Sequence, residues 1–289
     1  MGSSLFFLYG LPRVGTDAAL TYRWPRHLLV FSSAILLVGA VFGLITQTGL
    51  LAGSFAEGLK LSNLEAVVTQ MNFGWSNIVR GVLAAVMLLC LVVVKPSTST
   101  WLAAAMAGAI SCASFAWMGH GAATDDGARY VHLLADIAHS LAAALWIGAL
   151  LNFAFLLLPH ARVRETDQVL CNSLLRFSGV GSAAVAILVV SGLINSWFLV
   201  GLQHVSDFWK TLYGQVLLAK LVVFIGMLFL AASNRYFLTP GLQRILKDDF
   251  PQENAITRLR RSLIVETLAA FVVLALVALL GTLAPANVQ

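Results

Sequence analysis

Long apolar runs separated by short polar connections organise the whole chain. Seven near-continuous apolar runs occupy positions 27–51, 72–94, 101–118, 132–158, 177–200, 213–238 and 262–283. Each reaches or approaches the roughly 20 residues an α-helix needs to cross a hydrocarbon core about 30 Å thick. The runs are unbroken rather than alternating over about 10 residues, so the backbone crosses as helices and not as the strands of a barrel. The expected fold is all-α, a polytopic transmembrane helix bundle of about seven spans, forming a single integral membrane domain over 1–289. Residues 1–26 read as an N-terminal stub and cytoplasmic segment. The stretch 239–261, with mixed charge and two prolines, reads as a cytoplasmic linker containing a short amphipathic helix. Neither internal repeats nor the paired half-helices of many secondary transporters are evident.

Composition removes the alternatives. Of 289 residues, 59% are hydrophobic and 11% charged, with a mean hydropathy of +0.87, which excludes a separate soluble catalytic domain. The net charge of +5 points to topology, and no nucleic-acid partner is expected. Arg13, Arg23, Arg26, Lys95, Arg162, Arg164, Arg176, Arg235, Arg244, Lys247, Arg258, Arg260 and Arg261 fall in alternate connections, against Lys60, Arg129 and Lys210 in the others. This positive-inside asymmetry predicts that the loops at 119–131 and 201–212 face outward and that the C-terminus is periplasmic. Arg80 and Lys220 fall inside spans.

The first ten residues, MGSSLFFLYG, are apolar but too short to cross. Met-Gly-Ser-Ser resembles a start appended for expression, which would lie outside the fold. Cys90 and Cys112 lie within spans and Cys171 in a connection, without any Cys-x-x-Cys pair. An outward disulfide framework and a paired-thiolate metal site are therefore not expected, and the cysteines read as small packing residues.

The most informative segment is MGHGAATDDGARYVHLLADIAHSLAAALWIGALL. His132, Asp136 and His139 stand at i, i+4 and i+7, which places them on one helical stripe that Ala143 and Trp146 continue. Two imidazoles and a carboxylate are costly against lipid, so the stripe is expected to face the bundle interior or a wet cavity. Met118 and His120 end the preceding span on the same side. Imidazole and thioether ligands suit copper, and thioether sulfur suits Cu(I). His120, His132 and His139, with Met118 as a soft fourth ligand, are the candidate metal ligands. Asp136 would orient an imidazole or pair with Lys220. Asn195, Tyr213, Lys220, Asn234 and Glu266 form a candidate polar track through later spans; Glu266 reads either as an exit ligand or as an ion-paired residue near a helix start.

Five motifs carry a family resemblance: HSLAAALWIGALL from His139, RFSGVG from Arg176, SGLIN ending at Asn195, YGQVLLAK from Tyr213 to Lys220, and SNRYFLTP ending at Pro240. In order and spacing they resemble the membrane family of copper resistance protein D, over roughly residues 24–283. The family's C-terminal pattern of Ser followed four residues later by Glu is similar to Ser262 and Glu266. Members usually have eight spans, and the resemblance implies that the first is reduced here to a stub near Phe6 to Leu11. It further implies a multi-pass protein of the bacterial inner membrane, not an enzyme, that moves copper ion toward the cytoplasm in copper homeostasis and resistance. A periplasmic copper carrier of the copper resistance protein C type is the implied partner, alongside membrane lipid. The sequence holds neither a P-loop nor a DKTGT-type phosphorylation motif. An inward potential of 100 mV contributes about 2.3 kcal/mol per unit charge, which favours Cu(I) uptake without ATP. Arg80 and Lys220 each oppose a cation by on the order of 1 to 4 kcal/mol at short range. Buried basic residues beside histidines equally suit an anion, so the alternative is a membrane haem-binding or quinol redox protein with His139 as an axial ligand.

Overall fold

The structure, a computed structural model, describes residues 1–10, 24–95, 97–117, 128–156, 164–200, 208–248 and 253–283. Among these, eleven α-helices are found: α1 (Gly2–Tyr9), α2 (Trp24–Ala52), α3 (Phe55–Gly58), α4 (Leu61–Gln70), α5 (Asn72–Val93), α6 (Thr98–Ser114), α7 (Arg129–Leu156), α8 (Arg164–Val200), α9 (Leu212–Ser233), α10 (Thr239–Asp248) and α11 (Glu253–Leu280). A π-helical segment, Asn234–Leu238, joins α9 to α10. Seven helical stretches among the described residues are long and apolar enough to cross a membrane: Pro25–Ala52, Asn72–Val93, Thr98–Trp117, Arg129–Leu156, Gln168–Leu199, Leu212–Lys247 and Asn254–Leu280. The all-α membrane bundle expected from the apolar runs is therefore found, run for run.

Two boundaries differ from expectation, because polar turns beyond an apolar run can stay helical in water. Helix α8 begins at Arg164 rather than near 177, and α11 begins at Glu253 rather than near 262. Arg176, Arg258, Arg260 and Arg261 thus lie on helices instead of in connections. The described residues of the expected linker at 239–261 are helical: α10 carries the amphipathic part, and 253–261 form the start of α11.

The chain forms two compact units, one of residues 1–8 and 13–144, the other of residues 9–12 and 145–289. In the first unit α2 packs along α5, and α5 along α6. Arg26 closes the end of α5, donating Nε–H to the Leu91 carbonyl at 2.7 Å and Nη2–H to that of Val92 at 2.8 Å. Those carbonyls belong to the last turn, which lacks helical partners and attracts a cation. Gly74 in α5 meets the backbone of α4 so closely that an added Cβ would stand 2.3 Å from the Val67 carbonyl oxygen. Apolar side chains such as Phe31, Val38, Val86 and Leu89 are exposed, as lipid contact requires.

The opening residues belong to this unit and pack into it. Ser3, Ser4, Phe6 and Phe7 are buried in α1, and the Phe7 ring packs 5.1 Å from that of Trp101. Met1 reaches α6 at Gly108, where a Cβ would stand 2.4 Å from the Met1 nitrogen.

In the second unit α9 packs along α11. Trp146 stacks edge-on to Phe224 with centroids 5.9 Å apart, and Phe153 to Phe177 at 5.7 Å. Tyr213, Val216, Leu217 and Leu280 form a buried cluster at one end of this pair.

Candidate functional site

In the first unit, the opening turns of α7 carry the histidine stripe. His132 is buried, only 2% exposed, and Asp136 one turn later is half-buried. His132 Nε2 stands 4.0 Å from Asp136 Oδ2, an ion-pair distance when the imidazole is protonated and too long for a hydrogen bond. His139 is half-buried and lies about 10 Å further along the helix by rise. Ser140 fastens this stretch to α6, its Oγ–H lying 3.3 Å from the Cys112 carbonyl oxygen and 2.9 Å from that of Ile137. The expected burial of the stripe is found most fully at His132. Met118 and His120 lie outside the described residues. Among the described residues, no three His, Cys, Asp or Glu side chains gather closely enough to hold a metal ion.

Arg80, in α5 of the same unit, is buried. Its guanidinium carbon lies 4.1 Å from the Phe115 ring centroid, and Nε–H donates to the Ser76 carbonyl at 3.2 Å. The ring face attracts the cation, so this charge is engaged locally.

The second unit holds a buried polar cluster. Glu266, in the middle of α11, is 2% exposed. Its Oε1 accepts the indole N–H of Trp146 at 3.2 Å, and its Oε2 accepts an amide N–H of Asn234 at 2.8 Å. Both donors are neutral. Because α11 begins at Glu253, Glu266 lies beyond the first turn, where the macrodipole acts; the expected helix-start ion pair is replaced by two neutral hydrogen bonds. Of the expected polar track, Asn234 and Glu266 are brought together. Tyr213 is buried at the start of α9, and Lys220 and Asn195 are half-buried.

A cavity of about 370 Å³ opens beside Glu266. Trp146, Phe153, Phe177 and Leu263 give it an apolar wall, while Ser178, Asn234, Arg235 and Glu266 give it polar atoms. The π-helical turn shapes this wall. Pro240 has no N–H to return to the turn before it, which disfavours ordinary α-geometry there, and the Thr239 N–H bonds instead to the Asn234 carbonyl. Asn234 and Arg235 thereby both line the cavity from consecutive positions. Sequence reading placed Trp146 on the histidine stripe and missed it as a hydrogen-bond donor to Glu266. The signal available was the Pro after Asn-Arg-Tyr, since wide turns of this kind accompany functional sites.

Comparison with known proteins divides the chain in a similar way. The family model for copper resistance protein D matches residues 172–280, and that for the copper resistance protein D-like N-terminal domain matches residues 1–131. Copper resistance protein D of Pseudomonas syringae pv. tomato is 33% identical over 288 residues, covering 98% of this chain and 91% of that protein. The chain belongs to the copper resistance protein D family. The inner membrane protein YebZ of Escherichia coli is 28% identical over 91% of this chain and 84% of its own length. The copper transport protein CutJ of Bacillus subtilis is 32% identical over 47% of this chain and 25% of its own. No solved structure matches. As a member of the copper resistance protein D family with seven membrane-crossing helices among its described residues, the chain is a multi-pass protein of the inner membrane. The N-terminal match begins at residue 1, in keeping with the packing of α1.

Proposed function

We propose that this protein carries copper ion across the inner membrane toward the cytoplasm, as Cu(I), through a His/Met intake site that faces the periplasm. The observation that carries the reading is His132: a buried imidazole with a carboxylate 4.0 Å away, in a membrane helix of a copper resistance protein D family member. A buried ionisable residue in a membrane span is expensive and marks an ion pathway by default. His132 and His139 serve as successive stations on α7, with His120 and Met118 as further ligands on the preceding side. Asp136 orients the His132 ring. Within the second unit, Asn195, Tyr213, Lys220, Asn234 and Glu266 are the polar groups that serve passage. The copper is cargo, delivered by a periplasmic carrier of the copper resistance protein C type. The membrane potential supplies about 2.3 kcal/mol per charge per 100 mV, and the C-terminus lies on the periplasmic side by the charge asymmetry of the connections.

The test is copper accumulation in cells. His132→Ala and His139→Ala should each lower it while the protein remains folded in the membrane. Unchanged accumulation in the double variant overturns the reading.

A further inference from the structure

Glu266 has an incomplete electrostatic environment. It is buried in a membrane-crossing helix, where an ionised carboxylate is costly without a countercharge. Among the described residues its carboxylate forms no ion pair within 4.0 Å, and both its hydrogen-bond donors are neutral. The two donors have an anion to serve, and the described surroundings offer that anion no countercharge.

Asn234 resolves the conflict. Its Nδ2–H donates to Glu266 Oε2, while its own Oδ1, fully buried, has no hydrogen-bond partner among the described residues. An amide carries a donor and an acceptor on one planar group. Turning it about its last bond exchanges the two. With Nδ2 toward Glu266 it serves the carboxylate; with Oδ1 toward Glu266 it accepts the O–H of the carboxylic acid. The widened π-helical turn at Asn234 adjoins the cavity that Asn234 and Glu266 both line, whose volume of about 370 Å³ is far more than the roughly 10–15 Å³ a single water needs.

We propose that Glu266 is a proton-binding site of the membrane domain, taking up and releasing a proton through the adjoining cavity as the Asn234 amide turns with its charge. On uptake, a hydronium ion reaching the cavity gives one proton to a carboxylate oxygen and leaves water; on release the O–H bond breaks and the proton passes back to water. Of the side chains lining this cavity, the other titratable groups are Arg235 and Tyr236 from the π-helical turn. Arg235 donates Nη1–H to the Ser178 carbonyl at 3.0 Å, and its guanidinium stands 5.3 Å from the Tyr236 ring. Helices α7 and α8 present only apolar, hydroxyl and indole groups to the cavity. On α11 itself, Arg258, Arg260 and Arg261 precede Glu266 and are exposed or half-buried. Glu266 and Asn234 are also among the groups assigned to passage above, so the inference bears on that reading; its test contains no copper, and the two therefore fail separately.

The full-length protein in lipid nanodiscs, free of copper, is titrated while infrared difference spectra are recorded. A carboxylic-acid C=O band should grow as pH falls, disappear in Glu266→Gln, and shift in Asn234→Leu, where the acceptor is gone. Should Glu266→Gln fail to fold, the shift in Asn234→Leu and a second in Trp146→Phe assign the band instead. A pH-dependent band that survives unchanged in Glu266→Gln, or that does not shift in either neighbour variant, overturns the proposal. So does the absence of any pH-dependent carboxyl band in the unaltered protein, which would leave Glu266 a fixed structural hydrogen-bond acceptor.

Discussion

The Asn234 amide reaches Glu266 Oε2 at 2.8 Å, tying the widened turn after α9 to the middle of α11. Trp146 approaches the other carboxylate oxygen from α7, so three helices of the second unit meet at one carboxylate. Hydrogen bonds to charged groups contribute about 1.5–3 kcal/mol each, and a buried acceptor stripped of its donor costs at least as much. The cluster therefore holds the second unit together as well as lining its cavity.

Asn234→Leu should lower stability by about 1–3 kcal/mol, because it removes one donor and leaves Glu266 with the indole alone. Trp146→Phe keeps a ring against Phe224 and loses only the N–H, so its loss should be smaller. Trp146→Ala adds a cavity and should cost about 3–5 kcal/mol. Thermal unfolding of the three purified variants ranks them; a Trp146→Phe protein less stable than Trp146→Ala contradicts the assignment of the indole bond.

Asp136→Asn separates the role of charge from that of shape at the intake site. Loss of a carboxylate that orients a metal-binding imidazole typically costs 10–100-fold in metal affinity. The copper concentration giving half-maximal uptake should accordingly rise about 10-fold or more, with the amount of folded protein unchanged because Asn is nearly isosteric. An Asp136→Asn protein with the half-saturation of the original means that Asp136 does not act through His132.

The bundle was legible because lipid enforces one rule everywhere, apolar runs long enough to cross, and each of the seven runs holds a crossing helix among the described residues. The helix starts at Arg164 and Glu253 were not legible, since polar turns at a water-exposed end follow weak local propensity rather than that rule. The proximity of His132 and Asp136 was legible from spacing alone, because i and i+4 on one helix fix it whatever surrounds them. The Glu266 cluster was only half legible. Glu266 and Asn234 stand out as polar residues in spans, but their bond joins positions 32 apart in the chain, and the Trp146 N–H comes from 120 positions away. Helical periodicity carries no information at such separations.

Gly108→Val tests whether the first ten residues are structural. A Cβ at that position stands 2.4 Å from the Met1 nitrogen and 2.9 Å from its Cα, both backbone atoms that cannot swing aside, so α1 must be displaced. Overpacking of this kind costs about 1–3 kcal/mol. Thermal unfolding should fall by a matching amount, and protease sensitivity near Phe6 and Phe7 should rise. If α1 were an inert extension, neither measurement would change.

The remaining choice is between copper as cargo and haem as a resident group, and His139 decides it. Haem held by His139 requires an axial imidazole and positive charge near its propionates; Arg80 is buried in the same unit but engaged with Phe115 and the Ser76 carbonyl. A second axial imidazole would have to come from elsewhere, and His132 sits about 10 Å away along the same helix by rise. Protein purified without additions should therefore show no Soret band and should bind copper in amounts near one ion per chain, with His132→Ala and His139→Ala each reducing the copper retained. A Soret band that disappears in His139→Ala would replace the transport reading with a redox one, and would make His139, rather than His132, the residue around which the first unit is built.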